Sequence, residues 1–286
     1  MSRPRAQSRT TVAARAVVGS ALQTSWERVE TELERYRHDP EQAGAHHLRV
    51  GMRRFLAAAE FAQLLEPEAL QGKLPSRVKH LLGALSPLRD IEIQREALDK
   101  HALAPEARQA VTLWLNKHEQ KLAKKLQRKM ARFPVERTRQ GVADAVAALM
   151  RADGDSSRSA ELALLGRVAE RYRSFDRRRR ASHDHELHEL HRTRVAFKKF
   201  RYAVELAAPL LRPVSKQRKE VLKAFQDELG ALQDSVVILA LFSRRKATHP
   251  LAAELRAAQA TLATHVRALL DAQTQSRVPA FSEYLP

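Results

Sequence analysis

Apolar residues recur every three to four positions along most of the chain, as in Leu22, Trp26, Val29 and Leu33. This spacing places them on one face of an α-helix. Runs that alternate with period two between turn residues, which would indicate strands, are nearly absent. We therefore predict an all-α protein. Prolines and polar turns divide the pattern into predicted helices over 20–38, 45–65, 76–100 with an interruption at Pro87, 106–133, 135–151, 160–180, 191–211, 215–243 and 250–273.

The stretch ADGDSSRS at 152–159 has the small and polar composition of a linker. It predicts a chain of two helical halves. Residues 1–19 form an Arg/Ser/Thr-rich arm, 20–151 a first bundle, and 160–286 a second bundle.

One predicted helix in the second half has two incompatible faces at about 100° per residue. The apolar face comprises Phe197, Phe200, Val204 and Leu211. The basic face comprises His191, Arg194, Lys198 and Arg201. The first face requires a core, whereas the second would bind an anion.

The same pattern occurs in the first half at a constant offset of 145 residues, from 46 to 191. The matched sets are His46, Arg49, Val50, Arg53, Arg54 and Phe55, and His191, Arg194, Val195, Lys198, Lys199 and Phe200. Further along, at an offset of 144, Lys79, Leu85, Leu88 and Asp90 match Lys223, Leu229, Leu232 and Asp234. This internal repeat predicts two bundles related by a pseudo-twofold axis.

The chain carries 51 Lys and Arg against 33 Asp and Glu, a formal net charge of +18. Such a surplus attracts polyanions, so nucleic acid, an anionic membrane surface and a non-nucleotide polyphosphate are all candidate partners. No stretch approaches about 18 uninterrupted apolar residues, so no membrane span is expected. The early arginines precede no apolar signal region, so we expect a cytoplasmic protein. Cysteine is absent, so nothing demands an oxidising compartment.

Spacings of i, i+3 and i+7 align the imidazole and the first two cations of each basic face over about 10 Å. The predicted following helix of the second half adds a stripe of Lys216, Lys219 and Lys223, and that of the first half adds Lys79. Arginine grips phosphoryl oxygens in a bidentate manner and lysine supplies a compact charge, so phosphate is the expected guest. The alternative is a solvated basic face, but its duplication in one register argues against that interpretation. A neighbouring phosphate would favour the charged form of His46 and His191, which predicts tighter binding at mildly acidic pH.

The paired motifs HxxRVxxRRF and HxxRVxxKKFRY, followed by RDIEI and LGALQDSVVI, resemble the CHAD family, the conserved histidine α-helical domain. The resemblance covers about residues 20–280. It implies two four-helix bundles around a basic central channel that binds inorganic polyphosphate. By motif position, the implied contacts are His46, Arg49, Arg53, Arg54 and Lys79 in the first half, and His191, Arg194, Lys198, Lys199, Arg201, Lys219 and Lys223 in the second. In the first half, Phe55-Leu56 replaces the apolar-Arg pair of the family and the partner helix is poor in lysine, which indicates a weaker grip there.

Catalytic signatures are lacking: there is no Gly-rich phosphate loop, no GxSxG and no carboxylate cluster fit to hold Mg²⁺. The cluster HDHELHELH at 183–191 lacks the spacing of zinc proteases, although His185, His188 and His191 could share a face and bind a divalent ion. Trp26 and Trp114 lie within apolar periodicity and are predicted to be core residues.

Together with the family resemblance, these patterns predict a protein that binds inorganic polyphosphate without catalysis or cofactor. The resemblance also implies recruitment to polyphosphate granules. The alternative is a nucleic-acid-binding protein, which the net charge would also suit. Aromatic residues make up only 5% of the chain, and no nucleic-acid recognition motif is recognisable.

Overall fold

The computed structural model describes residues 14–70, 74–100, 105–151, 156–181, 187–212, 215–217, 220, 223–227, 230 and 264. This part of the chain contains helices and no strand, as the apolar periodicity predicts. The helices are α1 (Ala14–His38), α2 (Pro40–Leu65), α3 (Leu74–Lys100), α4 (Pro105–Ala131), α5 (Val135–Arg151), α6 (Ser156–Ala181) and α7 (Leu187–Ala207). None of these helices is long and apolar enough to cross a membrane.

Helix α1 begins at Ala14, six residues before the predicted start at position 20. Val17 and Val18 of its first turns are buried, with exposed fractions of 7% and 0%. A Cβ added at Gly19 would lie 3.0 Å from Met150 of α5, so the two helices are close at this point. Burial of these apolar residues explains why the helix extends into the segment predicted as an arm.

Helix α3 continues through Pro87, where the sequence predicts an interruption. Proline removes one helical hydrogen bond and crowds the carbonyl four residues earlier, which here belongs to exposed Gly83. Leu85, Leu88 and Ile91 are buried on both sides of the proline, with exposed fractions of 0%, 5% and 2%. Their burial, at about 1.5–3 kcal/mol per side chain, offsets the local cost of proline.

Other helix boundaries also differ from the sequence prediction, including the start of α7, which is Leu187 rather than His191. Helix α2 begins at Pro40 rather than Ala45, and α6 begins at Ser156, so the last four residues of the predicted linker are helical. Helix α7 ends at Ala207 rather than Leu211, because the residue before Pro209 is disfavoured in a helix and the chain instead turns back to the Ala207 carbonyl. The predicted helices over 215–243 and 250–273 lie mostly outside the described residues.

A continuous core joins the two predicted halves of the chain. Helix α1 packs on α2 and α5, α6 packs on α7, and both α6 and α7 also contact α1 and α2. Trp26 of α1 is 1% exposed and contacts Phe55 of α2, with 5.4 Å between ring centroids. The prediction that Trp26 is a core residue is confirmed, while the two-bundle arrangement stays a prediction.

The apolar face of α7 packs into a cluster of aromatic rings. Phe175 of α6 lies 5.1 Å from Phe197 and 5.7 Å from Phe225 between ring centroids. Phe200 is stacked on the same Phe175 ring at 6.3 Å. All four predicted apolar-face residues, Phe197, Phe200, Val204 and Leu211, are buried. This packing fixes the rotation of α7 and turns its basic face away from the cluster.

The prediction that Trp114 is a core residue is wrong, because its side chain is 39% exposed and stacks on His118. The buried face of α4 is narrow here. It consists of Val111 and Leu115, which pack with Ile91 and Leu98 of α3. Trp114 immediately precedes Leu115, about 100° around the helix, and therefore lies beyond the buried face.

Candidate anion-binding cleft

The internal repeat is reproduced in the burial of matched side chains of α2 and α7. Phe55 and Phe200 are both 0% exposed. The matched pair Arg53 and Lys198 is half-buried on both helices, whereas the pair Arg54 and Lys199 is exposed on both. These three matched pairs therefore have similar exposure, and on each helix a buried phenylalanine orients the basic face.

These two basic faces converge around the ammonium group of Lys198. Burial is the largest cause that lowers the pKa of Lys198, and the positive charges of Arg194, Arg53, Arg201 and Arg49 lower it further, to about 7. Two of these guanidinium groups belong to α2 and two to α7 itself. The amine therefore lies in a field of like charge contributed by both helices.

A cavity of about 340 Å³ opens between the two helices. Its wall contains cations, apolar groups and one carboxylate among the described residues, namely Arg53, Leu56, Ala57, Glu60, Phe61, Arg171, His191, Arg194, Val195, Lys198, Lys199 and Tyr202. We call this cavity, together with Arg49 and Arg201, the α2–α7 cleft. Its charge and size allow it to hold several phosphoryl groups, or a phosphoryl group with a small apolar body.

Arg49 of α2 is hydrogen-bonded to α3. Its guanidinium donates a hydrogen bond of 2.7 Å to Ser86 Oγ of α3, and Ser86 in turn donates to the Leu82 carbonyl at 3.1 Å. Burial first, and the charge of Arg53 second, lower the pKa of Arg49 to about 10, so it remains charged at neutral pH. Arg49 is thus a half-buried cation whose guanidinium is held in place by α3.

Carboxylates hold the margins of the cleft. Glu205 of α7 forms ion pairs of 3.4 Å with both Arg54 of α2 and Arg201 of α7. Glu60 of α2 pairs with Arg167 at 3.2 Å and with Arg171, both on α6. These contacts join the helices, and they occupy Glu60, the one carboxylate among the described residues that line the cavity.

The sequence profile of the CHAD domain matches residues 20–243. The chain belongs to the CHAD domain family. Its fold is similar to that of a crystal structure of the CHAD domain from the plant Ricinus communis, with a TM-score of 0.72 and 22% sequence identity over 94% of each chain. No curated protein matches the chain at a significant level. The family resemblance expected from the paired HxxRVxx motifs is thus confirmed.

This CHAD domain does not place all predicted site residues in one cavity. Arg53, His191, Arg194, Lys198 and Lys199 line the α2–α7 cleft. Arg49 and Arg201 act on it through their charge. Arg54 instead pairs with Glu205.

His46 lies on α2 near Arg89 of α3 and does not line the cavity. Partial burial lowers its pKa, and the positive charges of Arg89 and His47 lower it further, while Glu92 opposes them. The imidazole is thus less protonated in the free protein than a solvated histidine at the same pH.

Lys79 lies in a different cavity, of about 510 Å³ between α3 and α4, together with His80, Lys125 and Lys129. The sequence could not anticipate this separation, because the position of Lys79 depends on how α3 packs on α4. Lys216 and Lys223 are exposed, and Lys219 is outside the described residues.

The proposed metal cluster at 183–191 also lies mostly outside the described residues. Within the described parts of the chain, no group of three His, Asp or Glu side chains could hold a metal ion.

Sequence reasoning missed Arg171, Glu60 and Tyr202 as cleft residues. Arg171 lies on α6 and also lines a neighbouring cavity of about 290 Å³ with Arg178, His191 and Lys199. The spacing of Arg171, Ser174 and Arg178, at i, i+3 and i+7, was an available signal that α6 has a polar stripe facing α7.

Proposed function

We propose that the α2–α7 cleft binds inorganic polyphosphate, without catalysing a reaction on it. The observation that carries the proposal is the convergence of Arg49, Arg53, Arg194 and Arg201 on Lys198. Among the described residues no carboxylate forms an ion pair with Lys198. A polyanion would supply negative charge beside Lys198, and each contact would remove repulsion within the protein as well as add attraction.

An extended anion suits the cleft better than a single phosphate. The basic face of α7 extends from His191 to Arg201, which at 1.5 Å per residue is about 15 Å. Cations from α2 lie opposite its central part. A linear chain of phosphoryl groups could contact several of these cations at once, and its affinity would grow with chain length through multivalency.

A binding role follows from the chemistry of the wall. The described lining residues are cations and apolar groups, apart from Glu60 and Tyr202, and Glu60 is already paired with Arg167 and Arg171. Phosphoryl transfer commonly uses metal ions held by carboxylates, and among the described residues no group of three His, Asp or Glu side chains could hold one. A protein that binds polyphosphate in this manner is expected to accumulate at polyphosphate granules.

Nucleic acid is the competing ligand, because its phosphates carry the same charge. Binding of single strands commonly uses exposed aromatic rings on which bases stack. The aromatic residues of the cleft wall, Phe61 and Tyr202, are only 2% and 9% exposed. The described cleft therefore presents phosphate ligands without a stacking platform, which favours polyphosphate.

A competition experiment tests this choice. Labelled long-chain polyphosphate is bound to the protein in moderate salt, and RNA or unlabelled polyphosphate is added at equal phosphate concentration. We expect the unlabelled polyphosphate to displace the label far more effectively. Equal displacement by RNA would contradict the proposal.

A paired substitution tests the site. Arg194→Glu with Lys198→Glu should abolish polyphosphate binding while helicity by circular dichroism is retained, because the new carboxylates would lie among arginines. The matched control is Lys124→Glu with Arg128→Glu, an exposed pair on α4 with the same spacing and the same change in charge. Retained affinity in the first variant, or an equal loss in the control, would show that the α2–α7 cleft is not the site.

A further inference from the structure

Lys198 differs from the other described lysines in the combination of its surroundings. Lys198 lines a cavity of about 340 Å³ together with Arg53 and Arg194. The adjacent residue Lys199 lines the same cavity but is exposed, so it provides an internal comparator on the same helix. Lys198 thus combines an accessible cavity, neighbouring cations that can bind an anion, and partial burial.

The surrounding charges favour the neutral form of this amine. Arg194 and Arg201 of α7 and Arg49 and Arg53 of α2 all lower the pKa of Lys198, after burial, to about 7. The remaining charged or titratable groups on the cavity wall are Glu60, Arg171, His191, Lys199 and Tyr202. At neutral pH roughly half of Lys198 would be the free amine, against less than about 0.1% of a solvated lysine.

The same residues would position an anionic reagent. The guanidinium groups of Arg53 and Arg194 can bind a phosphoryl group in a bidentate manner. Leu56, Val195 and the ring of Tyr202 line the same cavity and offer an apolar contact for a small acyl chain. A molecule that joins a phosphoryl group to an acyl carbon would therefore be held beside the amine of Lys198.

We propose that Lys198 is an acylation site that reacts selectively with acyl phosphates. The nitrogen lone pair attacks the acyl carbonyl carbon and a C–N bond forms. The C–O bond to phosphate breaks and phosphate leaves with the electron pair, while the amine proton passes to the departing phosphate or to water. No oxidant, metal or cofactor is required, and the protein gains an amide in place of an ionisable amine.

Acylation would act as a switch on the cleft, a consequence that rests on the proposed polyphosphate function. An amide cannot acquire the positive charge that a bound polyphosphate would induce on Lys198. The modified protein is therefore expected to bind polyphosphate more weakly. Conversely, bound polyphosphate would cover Lys198 and favour its protonated form. Both effects would protect the amine from acylation.

Acetyl phosphate is the probe that tests this inference. The full-length protein is incubated with it at pH 7.5, and acetylation of individual lysines is followed by peptide mass spectrometry. We expect Lys198 to react at least about tenfold faster than Lys199 and Lys216, because its larger neutral fraction outweighs the lower reactivity of a less basic amine. The preference should fall several-fold when acetic anhydride, a neutral reagent, replaces acetyl phosphate.

Arg53→Gln is the matched variant, since it removes one anion ligand and leaves Lys198 in place. It should slow acetylation of Lys198 several-fold while the rates at Lys199 and Lys216 stay unchanged. Equal rates at the three lysines in the native protein would overturn the inference.

Addition of long-chain polyphosphate separates the two proposals. If Lys198 reacts selectively but polyphosphate gives no protection, the acylation site stands and the proposed function fails. If polyphosphate binds but Lys198 shows no selectivity, the acylation proposal alone fails.

Discussion

Arg53 of α2 and Lys198 of α7 occupy equivalent positions of the internal repeat and lie on the wall of the same cavity. Duplication has thus brought two like charges close together instead of separating them. Arg53 contributes directly to the lowered pKa of Lys198. The free protein therefore stores electrostatic repulsion at this point.

Polyphosphate binding should weaken as the pH rises above about 7. The pKa of Lys198 is about 7 in the free cleft, and a bound anion would raise it, so binding takes up a proton above that pH. Affinity should fall by up to about tenfold per pH unit from 7 towards the pKa of the bound state. Titration calorimetry in two buffers of different ionisation enthalpy measures the proton uptake.

Lys198→Arg is the control for this pH dependence, because arginine stays charged throughout the range. We expect its affinity to be nearly constant between pH 7 and 9. A native protein that behaves like this variant would argue against linkage to Lys198.

Lys198→Met should stabilise the free protein, most strongly at low pH. Folding lowers the pKa of Lys198 below its unfolded value, so the charged amine destabilises the folded state fully below about pH 7. This destabilisation declines as the pH rises towards the unfolded pKa. We expect the free energy of unfolding to increase by about 1–3 kcal/mol at pH 6, which is less than the full pKa shift would give, because solvent screens the amine. Urea unfolding at pH 6 and 9.5 checks both sign and trend, and a gain that is larger at pH 9.5 would contradict the assignment.

Glu205→Gln should tighten polyphosphate binding. Glu205 pairs with Arg54 and Arg201 at 3.4 Å each, so it competes with a ligand for both cations. Its neutralisation should lower the dissociation constant several-fold at low salt, and this gain should shrink as salt screens the charges. The stability cost should stay within about 1 kcal/mol, because both pairs are partly exposed.

The matched control is Glu136→Gln, since Glu136 is an exposed carboxylate that pairs with Arg139 on α5. It also removes one negative charge but lies outside the described cleft. An equal gain in affinity from both variants would indicate a general charge effect.

Short-chain polyphosphate should distinguish Lys79 from Arg53. Lys79 lies in the cavity between α3 and α4, whereas Arg53 lines the α2–α7 cleft. Arg53→Ala should weaken binding of tetraphosphate about tenfold, the effect of losing one charge-assisted contact. Lys79→Ala should change it less than about twofold by the same reasoning, since a short chain that occupies the cleft does not contact Lys79. Fluorescence polarisation measures both, and a larger effect at Lys79 would move the site to α3 and α4.

Helical periodicity predicted the fold class, the apolar face of α7 and the burial of Trp26, because each depends on spacing within one helix. It failed for Trp114, whose neighbour Leu115 lies on a narrow buried face, and at Pro87, where buried leucines sustain the helix. Both errors arise from tertiary packing that local spacing does not contain.

The same limit applies to the candidate site, because spacing within a helix predicts which cations share a face but not which residues they contact. The repeat of His46–Arg54 in His191–Lys199 identified the cations that could share a site, and it placed Arg53 and Lys198 in one register. It could not show that Arg54 is paired with Glu205, that Lys79 lies with α4, or that Arg171 of α6 reaches the cleft. These facts depend on which helices are neighbours, and residues far apart in sequence decide them.

The aromatic cluster of Phe175, Phe197, Phe200 and Phe225 has a consequence for the kinetics of binding. Two of its rings lie on the same two turns of α7 that carry Arg194, Lys198 and Arg201, so the cationic groups emerge from a helix whose rotation is fixed before any ligand arrives. The encounter then needs little rearrangement of the backbone, and the loss of conformational entropy falls mainly on the flexible polyanion. Association should therefore approach the electrostatically steered limit, with differences among polyphosphates expressed mostly in how slowly they leave.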